Sequence, residues 1–218
     1  MFRKLLLTIT VMLLVTLFVV FPQKESLVSV FRMTEDPIVI SKGHYGQSLV
    51  VEISFSHEGL EEWLQTVNKP YPLLMLDAAW IDRSPKLVEI IKNRNIPTGL
   101  LGGKGAVDED NDTINKFNKD LAIYQKHFEN KPLWYMTSDY EFNPKLMQTV
   151  FKEEVNLLSP SVIYTKNYKT TNGAIVSFPI HEKSNFTFED ISKLLEKEKF
   201  ISIEENVFGY SIKTKKMP

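Results

Sequence analysis

The stretch YPLLMLDAAWIDRSPKLVEIIKNRNIPTGLLGG, residues 71–103, predicts a strand, a helix and a second strand in succession. The first strand is the short apolar run Leu73–Leu76. Ser84 and Pro85 then indicate a helix start, because serine caps free backbone N–H groups and proline fits the first helical position. Apolar residues recur on one face of that helix at Leu87, Val88, Ile90 and Ile91. Strands joined by such a crossover helix are parallel, so the domain is expected to contain a sheet or barrel buried on both faces.

The rest of the chain continues this alternation of strands and helices. Apolar runs predict strands at residues 38–40, 48–55, 133–137, 161–165, 174–180 and 200–203, and an edge strand at 208–214. Helix signals lie at residues 60–67, 114–128, 143–151 and 187–195, the last with Thr187 and Asp190 as a capping-box-like start. About seven principal strands, with no glycine-rich phosphate-binding turn after the first, favour a distorted parallel (β/α) barrel over a dinucleotide-binding sheet.

Composition excludes several classes of function. The chain has 218 residues, which is enough for one domain with a sizeable core, and a formal net charge of −1. This charge gives no electrostatic basis for binding nucleic acid. Because the chain has no cysteine, disulfides, thiolate nucleophiles and cysteine-ligated zinc are excluded.

The N-terminus predicts a membrane segment. Arg3 and Lys4 precede an uncharged apolar run at residues 5–21, near the lower limit for spanning the ~30 Å hydrocarbon core. The positive flank predicts a single-pass cell-membrane protein whose C-terminal domain is extracytoplasmic. The alternative is a cleaved signal peptide and a secreted protein, although no small-x-small cleavage site follows. We therefore expect an anchor or signal peptide at 1–22, a stalk and edge element at 23–47 and a barrel domain at 48–218.

From about Ser48 to Val207 the order of elements resembles the polysaccharide deacetylase family, which includes chitin, chitooligosaccharide and peptidoglycan deacetylases. Residues 73–101 are similar to the family's strand, tryptophan and proline-capped helix, and residues 173–207 to its closing strand, helix and strand. The similarity covers about three quarters of the chain. It implies a distorted barrel of about seven βα units, in a protein exported to a bacterial cell envelope.

The catalytic motifs of that family are degenerate in this chain. The resemblance implies a metal that polarises the acetyl carbonyl and activates a water, held by an aspartate of a TFDDG strand end and by two histidines spaced His-x-x-x-His. Here His57 and Glu58 stand before Gly59, where two aspartates are expected. The segment 102–105, Gly-Gly-Lys-Gly, stands where the two histidines are expected. The last motif keeps its histidine as His181.

His57, Glu58 and His181 are the candidate catalytic and metal-binding residues. All three would lie at the C-terminal ends of strands, where barrel enzymes carry their active sites, and they could build a His₂Glu site. The alternative is structural: His181 is hydrogen-bonded near a strand end, and His57 and Glu58 belong to a helix start. We expect no cofactor, unless such a rebuilt site holds a divalent metal such as zinc.

Four further residues are candidates with structural alternatives. Asp77 directly follows the second barrel strand and is a candidate catalytic carboxylate; the alternative is a loop residue that caps the turn with Asp82. Trp80, Trp134 and Tyr135 are candidate ligand-binding residues, because aromatic faces pack on pyranose rings. The alternative for these three is a place in the core.

Together these features predict a membrane-anchored, extracytoplasmic, deacetylase-like protein without catalytic activity. Its role would be binding or structural, with the membrane, an envelope glycan or an envelope protein as partner. Two alternatives stay open. One is an active metal-dependent N-deacetylase of peptidoglycan or chitooligosaccharide with a rebuilt site. The other is a protein-interaction module on the same scaffold.

Overall fold

A computed structural model describes residues 36–106, 110–181 and 185–209. The predicted anchor or signal segment at residues 5–21 lies outside these ranges. Within them, every helix lacks the length or the apolar character that crossing a membrane requires.

The described residues form one sheet of parallel strands that curls into a barrel. The strands are β1 Val39–Ile40, β2 Ser48–Ile53, β3 Leu73–Asp77, β4 Thr98–Gly102, β5 Trp134–Thr137, β6 Asn156–Leu158, β7 Val162–Ile163 and β8 Ile175–Ile180. Their order is β1-β6-β5-β4-β3-β2-β8-β7. An antiparallel bridge between Lys42 and Ala174 joins the segment after β1 to the start of β8, so the two ends of the sheet approach each other there. The predicted distorted (β/α) barrel is therefore confirmed.

Helices cover the outside of the barrel and, in the case of the last one, its end. They are α1 Leu60–Thr66, α2 Ala78–Arg83, α3 Pro85–Arg94, α4 Asp110–Phe128, α5 Pro144–Lys152, α6 Phe188–Lys197 and α7 Ile203–Phe208. The predicted unit at residues 71–103 is confirmed, since β3 and β4 are parallel neighbours joined by α3. The short helix α2 is an addition to the prediction, which had a loop at those residues.

Strand alternation separates the core into an inner and an outer part. On β2, Val50 belongs to the inner cluster, whereas Leu49, Val51 and Ile53 pack with the helices. The inner cluster takes one face of each long strand, with Leu73, Met75, Leu101, Trp134, Met136 and Ile175 among its members. This two-sided burial is the reason that the strands read as nearly continuous apolar runs.

Helix α7 closes the end of the barrel where the strands begin. Ile203 and Val207 of α7 pack against the inner cluster. Asn206 is fully buried, and its side-chain amide donates hydrogen bonds to the Ser48 hydroxyl at 3.0 Å and to the Ala174 carbonyl at 3.2 Å. Its side-chain oxygen accepts a hydrogen bond from the Gly46 N–H at 3.3 Å. A buried amide that is satisfied in this way fixes α7 to the first residues of β2 and β8.

The prediction of a strand at residues 200–203 is wrong, because helix α7 begins at Ile203. Ser202 caps this helix by accepting a hydrogen bond from the Glu205 N–H at 3.1 Å, and two acidic residues lie in its first turn. These local signals outweigh the apolar alternation around Phe200. The prediction of an edge strand at 208–214 is wrong for Phe208, because this residue is the last of α7. Residues 210–214 lie outside the described part of the chain.

Two further strand predictions need correction near the sheet edge. The strand predicted at 161–165 is reduced to β7, Val162–Ile163, and its neighbour in sequence, β6, was not predicted. Strand β6 is only three residues long, Asn156–Leu158, and follows α5 after a short turn. A run this short carries no periodicity that separates a strand from a helix end.

Candidate functional site

The C-terminal ends of the strands surround the barrel mouth, the end opposite α7. Active sites of barrel enzymes lie at this face. The segments that follow β2, β3, β4, β5 and β8 meet here, and they carry the candidates His57, Glu58, Asp77 and His181. The barrel mouth is therefore the candidate site.

His57 connects the segment after β2 to the segment after β8 by a hydrogen bond. Its Nε2 lies 2.8 Å from the backbone carbonyl oxygen of His181. A carbonyl oxygen can only accept, so Nε2 carries the proton and donates. The His57 ring also meets Phe55 edge to face, with centroids 5.1 Å apart. Glu58 and the His181 side chain are exposed.

The described residues at the mouth do not fit the metal that the resemblance implies. A catalytic zinc site needs three protein ligands that converge on one point. Among the described residues, no group of three histidine, aspartate or glutamate side chains converges in this way.

The glycine-rich segment after β4 is held against the loop that follows β5. The Gly105 N–H donates to the Asp139 carboxylate at 2.8 Å, and the Ala106 N–H donates to it at 3.3 Å. The Asn143 side chain donates to the Gly105 carbonyl at 3.1 Å. Partial burial acts to raise the pKa of Asp139, but the backbone hydrogen bonds from Gly105 and Ala106 outweigh it and hold that pKa below its usual value. The segment is thus packed as a structural turn.

Gly102 has no room for a side chain. A Cβ at this position would overlap the hydroxyl group and the ring of Tyr135. The ring of Tyr135 packs edge to face on Phe117 of α4, with centroids 4.9 Å apart, and is held there by the outer core. A histidine at position 102 would therefore displace a core aromatic residue.

A buried polar cluster fills the centre of the barrel below the mouth. We call Glu52, Tyr140 and Ser177 the Glu52 cluster. Glu52 of β2 is 6 % exposed, and its Oε1 accepts a hydrogen bond from the Tyr140 hydroxyl at 2.7 Å. The hydroxyl of Ser177, on the neighbouring strand β8, donates to the same oxygen. Tyr140 follows β5, so its side chain reaches across the barrel, past β4 and β3, to meet β2.

The Glu52 carboxyl has no cationic partner among the described residues. Burial raises its pKa, and the hydrogen bonds from Ser177 and Tyr140 offset this only in part. The pKa of Tyr140 is raised well above its usual value, first by burial and then by the nearby Glu52 carboxyl. Such a carboxyl inside a barrel is costly, and a group of this kind is characteristic of functional positions.

The sequence contained a signal for this cluster that residue-type motifs did not reveal. Glu52 interrupts the apolar strand SLVVEI at a position that alternates with the inward-facing Val50. A charged residue at an inward position of a strand buried on both faces needs a partner inside the barrel. The partner Tyr140 lies 88 positions further along the chain, and strand patterns alone do not identify it.

Asp77 caps helix α2. Its carboxylate accepts a hydrogen bond from the Trp80 N–H at 2.9 Å, which is the capping alternative considered for it. Asp82 does not share this turn. It accepts hydrogen bonds from His127 and Lys126, each at 3.0 Å, on the outer surface.

The three candidate sugar-binding aromatic residues lie in the core. Trp80 and Trp134 are fully buried and Tyr135 is 2 % exposed. The indole N–H of Trp80 donates to the Ser56 hydroxyl at 2.8 Å, and that of Trp134 donates to Glu204 at 3.2 Å. A ring without accessible faces offers no surface to a pyranose, so the prediction that these residues line a groove is wrong.

Comparisons with known proteins agree on the fold. The sequence matches no protein-family model and no curated protein. A family 4 carbohydrate esterase pseudoenzyme from Bacillus anthracis has 17% identity and a TM-score of 0.64, over 78% of this chain and 69% of that chain. A peptidoglycan N-acetylglucosamine deacetylase has 14% identity and a TM-score of 0.65, over 78% and 92%. The chitin deacetylase of the fungal pathogen Colletotrichum lindemuthianum has 10% identity and a TM-score of 0.61, over 80% and 93%.

Identities this low establish a common fold and nothing finer. The resemblance read from the sequence is confirmed at this level, because the structures that match include peptidoglycan and chitin deacetylases and a pseudoenzyme of the same family. The chain therefore has the fold of the family 4 carbohydrate esterases, the polysaccharide deacetylases.

Proposed function

We propose that the protein is a catalytically inactive, deacetylase-like protein that is anchored in a bacterial cell membrane by residues 5–21 and binds a glycan or protein of the cell envelope. The observation that carries this proposal is the hydrogen bond between Tyr140 and Glu52, which fills the centre of the barrel below the mouth. A hydrolase of this kind needs an open position for a metal-bound water and the substrate carbonyl.

Other features of the barrel mouth support the same function. His57 is used in a hydrogen bond to the His181 carbonyl, and Gly105 is fastened to Asp139 where a histidine pair was expected. Each of these contacts stabilises the mouth, and among the described residues no three side chains that could bind a metal converge there. A pseudoenzyme among the structural neighbours supports the view that this fold persists without activity, and a mutant of that protein is described as having restored enzymatic activity.

Metal content and deacetylation test the proposal directly. The full-length protein, purified in detergent, would be analysed for zinc, cobalt and nickel and assayed for acetate release from chitooligosaccharide and peptidoglycan. We expect neither stoichiometric metal nor acetate. Near-stoichiometric metal with acetate release, lost in His57→Ala and His181→Ala but kept in His44→Ala, would instead establish an active N-deacetylase with a rebuilt site. His44 is the matched control, because it is exposed and lies before β2, at the opposite end of the barrel.

Binding and localisation require separate measurements. Co-sedimentation with insoluble peptidoglycan and chitin would detect a glycan partner, and cross-linking in intact cells would detect a protein partner at the envelope. A membrane-fraction protein that begins at or near Met1 supports the anchor. A soluble protein that begins near residue 23 would contradict the anchor and indicate secretion after cleavage.

A further inference from the structure

The loop that carries Tyr140, residues 138–143, covers the Glu52 carboxyl. Tyr140 has a backbone φ of 61°, in the left-handed region that costs a bulky residue on the order of 1 kcal/mol. The ring of Phe142 packs against the outer core, edge to face with Tyr135 at a centroid distance of 6.5 Å, and the ring of Tyr140 packs against the inner cluster. The rest of the loop is held by polar contacts. These include the hydrogen bond from the Thr137 hydroxyl to the Glu141 carbonyl at 2.8 Å and those that Asp139 accepts from Gly105. Residues 138–141 can therefore leave the closed position while Phe142 stays in the core.

The carboxyl below the loop has only neutral partners. Ser177 is fully buried in strand β8 and is fixed by the sheet, whereas Tyr140 lies on the loop. The other titratable side chains on the elements and loops around Glu52 are Asp77 at the end of β3, Lys104 after β4, Asp139 and Glu141 on the loop itself, Glu204 and Glu205 on α7, and His181 beyond β8. All of these are acids except Lys104 and His181, and both of those are exposed. No described cation is therefore placed to hold an ionised Glu52 inside the barrel.

Two effects compete when Glu52 loses its proton. The hydroxyls of Tyr140 and Ser177 make stronger hydrogen bonds to a carboxylate than to a carboxylic acid, which favours closure. Burial disfavours the charge, and it is the larger effect, since the pKa of Glu52 is raised overall. A carboxyl that meets water regains its ordinary proton affinity. The closed loop therefore binds the proton more tightly than the open loop, and proton loss shifts the equilibrium toward opening.

We propose that Glu52 and Tyr140 form a proton-operated latch: residues 138–141 of the loop stay closed over the Glu52 carboxyl while Glu52 is protonated, and loss of that proton releases them. Opening exposes the Glu52 carboxylate and the Ser177 hydroxyl together. The exposed pair would accept a ligand that donates hydrogen bonds, such as an ammonium or hydroxyl group. The latch is independent of whether the natural partner is a glycan or a protein.

Hydrogen–deuterium exchange of the full-length protein tests the latch. Exchange at residues 136–143 would be followed between about pH 5 and pH 8 and corrected for the intrinsic pH dependence of amide exchange. One linked proton changes the opening equilibrium by up to tenfold per pH unit, so we expect wild-type protection of the loop to fall by that order as pH rises. In Glu52→Gln, which keeps the shape and the acceptor oxygen, the corrected protection should not depend on pH.

A second variant and an internal control complete the test. Tyr140→Phe keeps the ring but loses the hydroxyl, so it should reduce loop protection at low pH, where the wild-type latch is closed. Amides of α6, Phe188–Lys197, are distant in sequence from the loop and should show no corrected pH dependence in any of the three proteins. Identical pH profiles in wild type and Glu52→Gln, or unchanged low-pH protection in Tyr140→Phe, would overturn the latch.

Discussion

Glu52 occupies an inward position of β2, where Ser48 and Val50 precede it on the same face of the strand. A carboxyl in this place couples the stability of the fold to pH. Because burial raises its pKa above the ordinary value of 4.5, the folded protein keeps a proton that the unfolded chain has lost. The stabilisation is present below the unfolded-state pKa and is lost as pH rises through the folded-state pKa.

Glu52→Gln should therefore raise the free energy of unfolding relative to wild type at about pH 8 and give little or no gain at about pH 4. Glutamine stays neutral and can still accept the hydrogen bonds from Tyr140 and Ser177. Urea denaturation at the two pH values measures the difference. Glu89→Gln, at an exposed position of α3, is the control and should not differ from wild type at either pH. A Glu52→Gln protein that is less stable than wild type at pH 8 would contradict the neutral-carboxyl account.

Gly102 is a second residue whose surroundings define its role. Gly102→Ala should cost about 1–3 kcal/mol of stability, because its Cβ would overlap the Tyr135 hydroxyl and force the core to shift. The neighbouring Gly103→Ala is the control, since its Cβ would meet only the flexible end of Lys116. The double variant Gly102→Ala/Tyr135→Leu should cost less than the sum of its two single variants, measured by denaturation. Strict additivity would show that the two positions do not compete for space.

At the scale of elements, the caps decide where helices begin. Thr187 and Asp190 form a capping box at the start of α6, with the Thr187 hydroxyl accepting from the Asp190 N–H at 3.3 Å and the Asp190 carboxylate accepting from the Thr187 N–H at 2.8 Å. Thr187→Ala should cost about 1 kcal/mol. Ser84→Ala, before α3, should change stability by less than about 0.5 kcal/mol, because the Ser84 side chain makes no capping hydrogen bond. Equal losses in the two variants would mean that the capping box contributes nothing specific.

The elements that the sequence predicted well are those in which the apolar pattern agrees with a helix-start signal, either a proline in the first turn or a capping side chain. The unit at residues 71–103 joins apolar strands to a proline-started helix, and Thr187 with Asp190 opens an amphipathic helix as predicted. Helix α7 was missed although Ser202 and Glu205 carry the same kind of start, because the apolar residues beside them alternate as in a strand. Local patterns conflict there, and the fit of α7 into the end of the barrel decides between them.

The candidate site was predictable only in its location. The sequence indicates the C-terminal ends of the strands and the loss of the metal motifs, both of which depend on residue order. The pairing of Glu52 with Tyr140 depends on which strands face each other across the barrel, and this is a property of the closed sheet. The direction of a side chain on a strand also depends on the closed sheet. Trp134 was therefore predicted to line a groove, although β5 places its side chain in the inner cluster.

At the scale of the whole molecule, the barrel is expected to hold its shape without a metal. A metal bound to the folded state at a hundredfold excess over its Kd adds about 2.7 kcal/mol, which corresponds to roughly 5–10 °C in Tm for a domain of this size. Excess EDTA should therefore leave the Tm of the full-length protein unchanged, as measured by circular dichroism. A fall of several degrees, reversed by added zinc, would reveal a structural or catalytic metal and would count against the proposed function.

Asn206 has a consequence for the way in which the protein is made. Its hydrogen bonds reach back to Gly46 and Ser48, 160 and 158 positions earlier in the chain. Strand β2 likewise takes a neighbour, β8, from the last part of the barrel. A ribosome delivers Asn206 158 residues after Ser48 of β2. One edge of β2, and the end of the barrel where the strands begin, stay open to water and chaperones during that part of synthesis. The barrel can close only when translation of the domain is nearly complete, and contacts so distant in sequence make that final step slow.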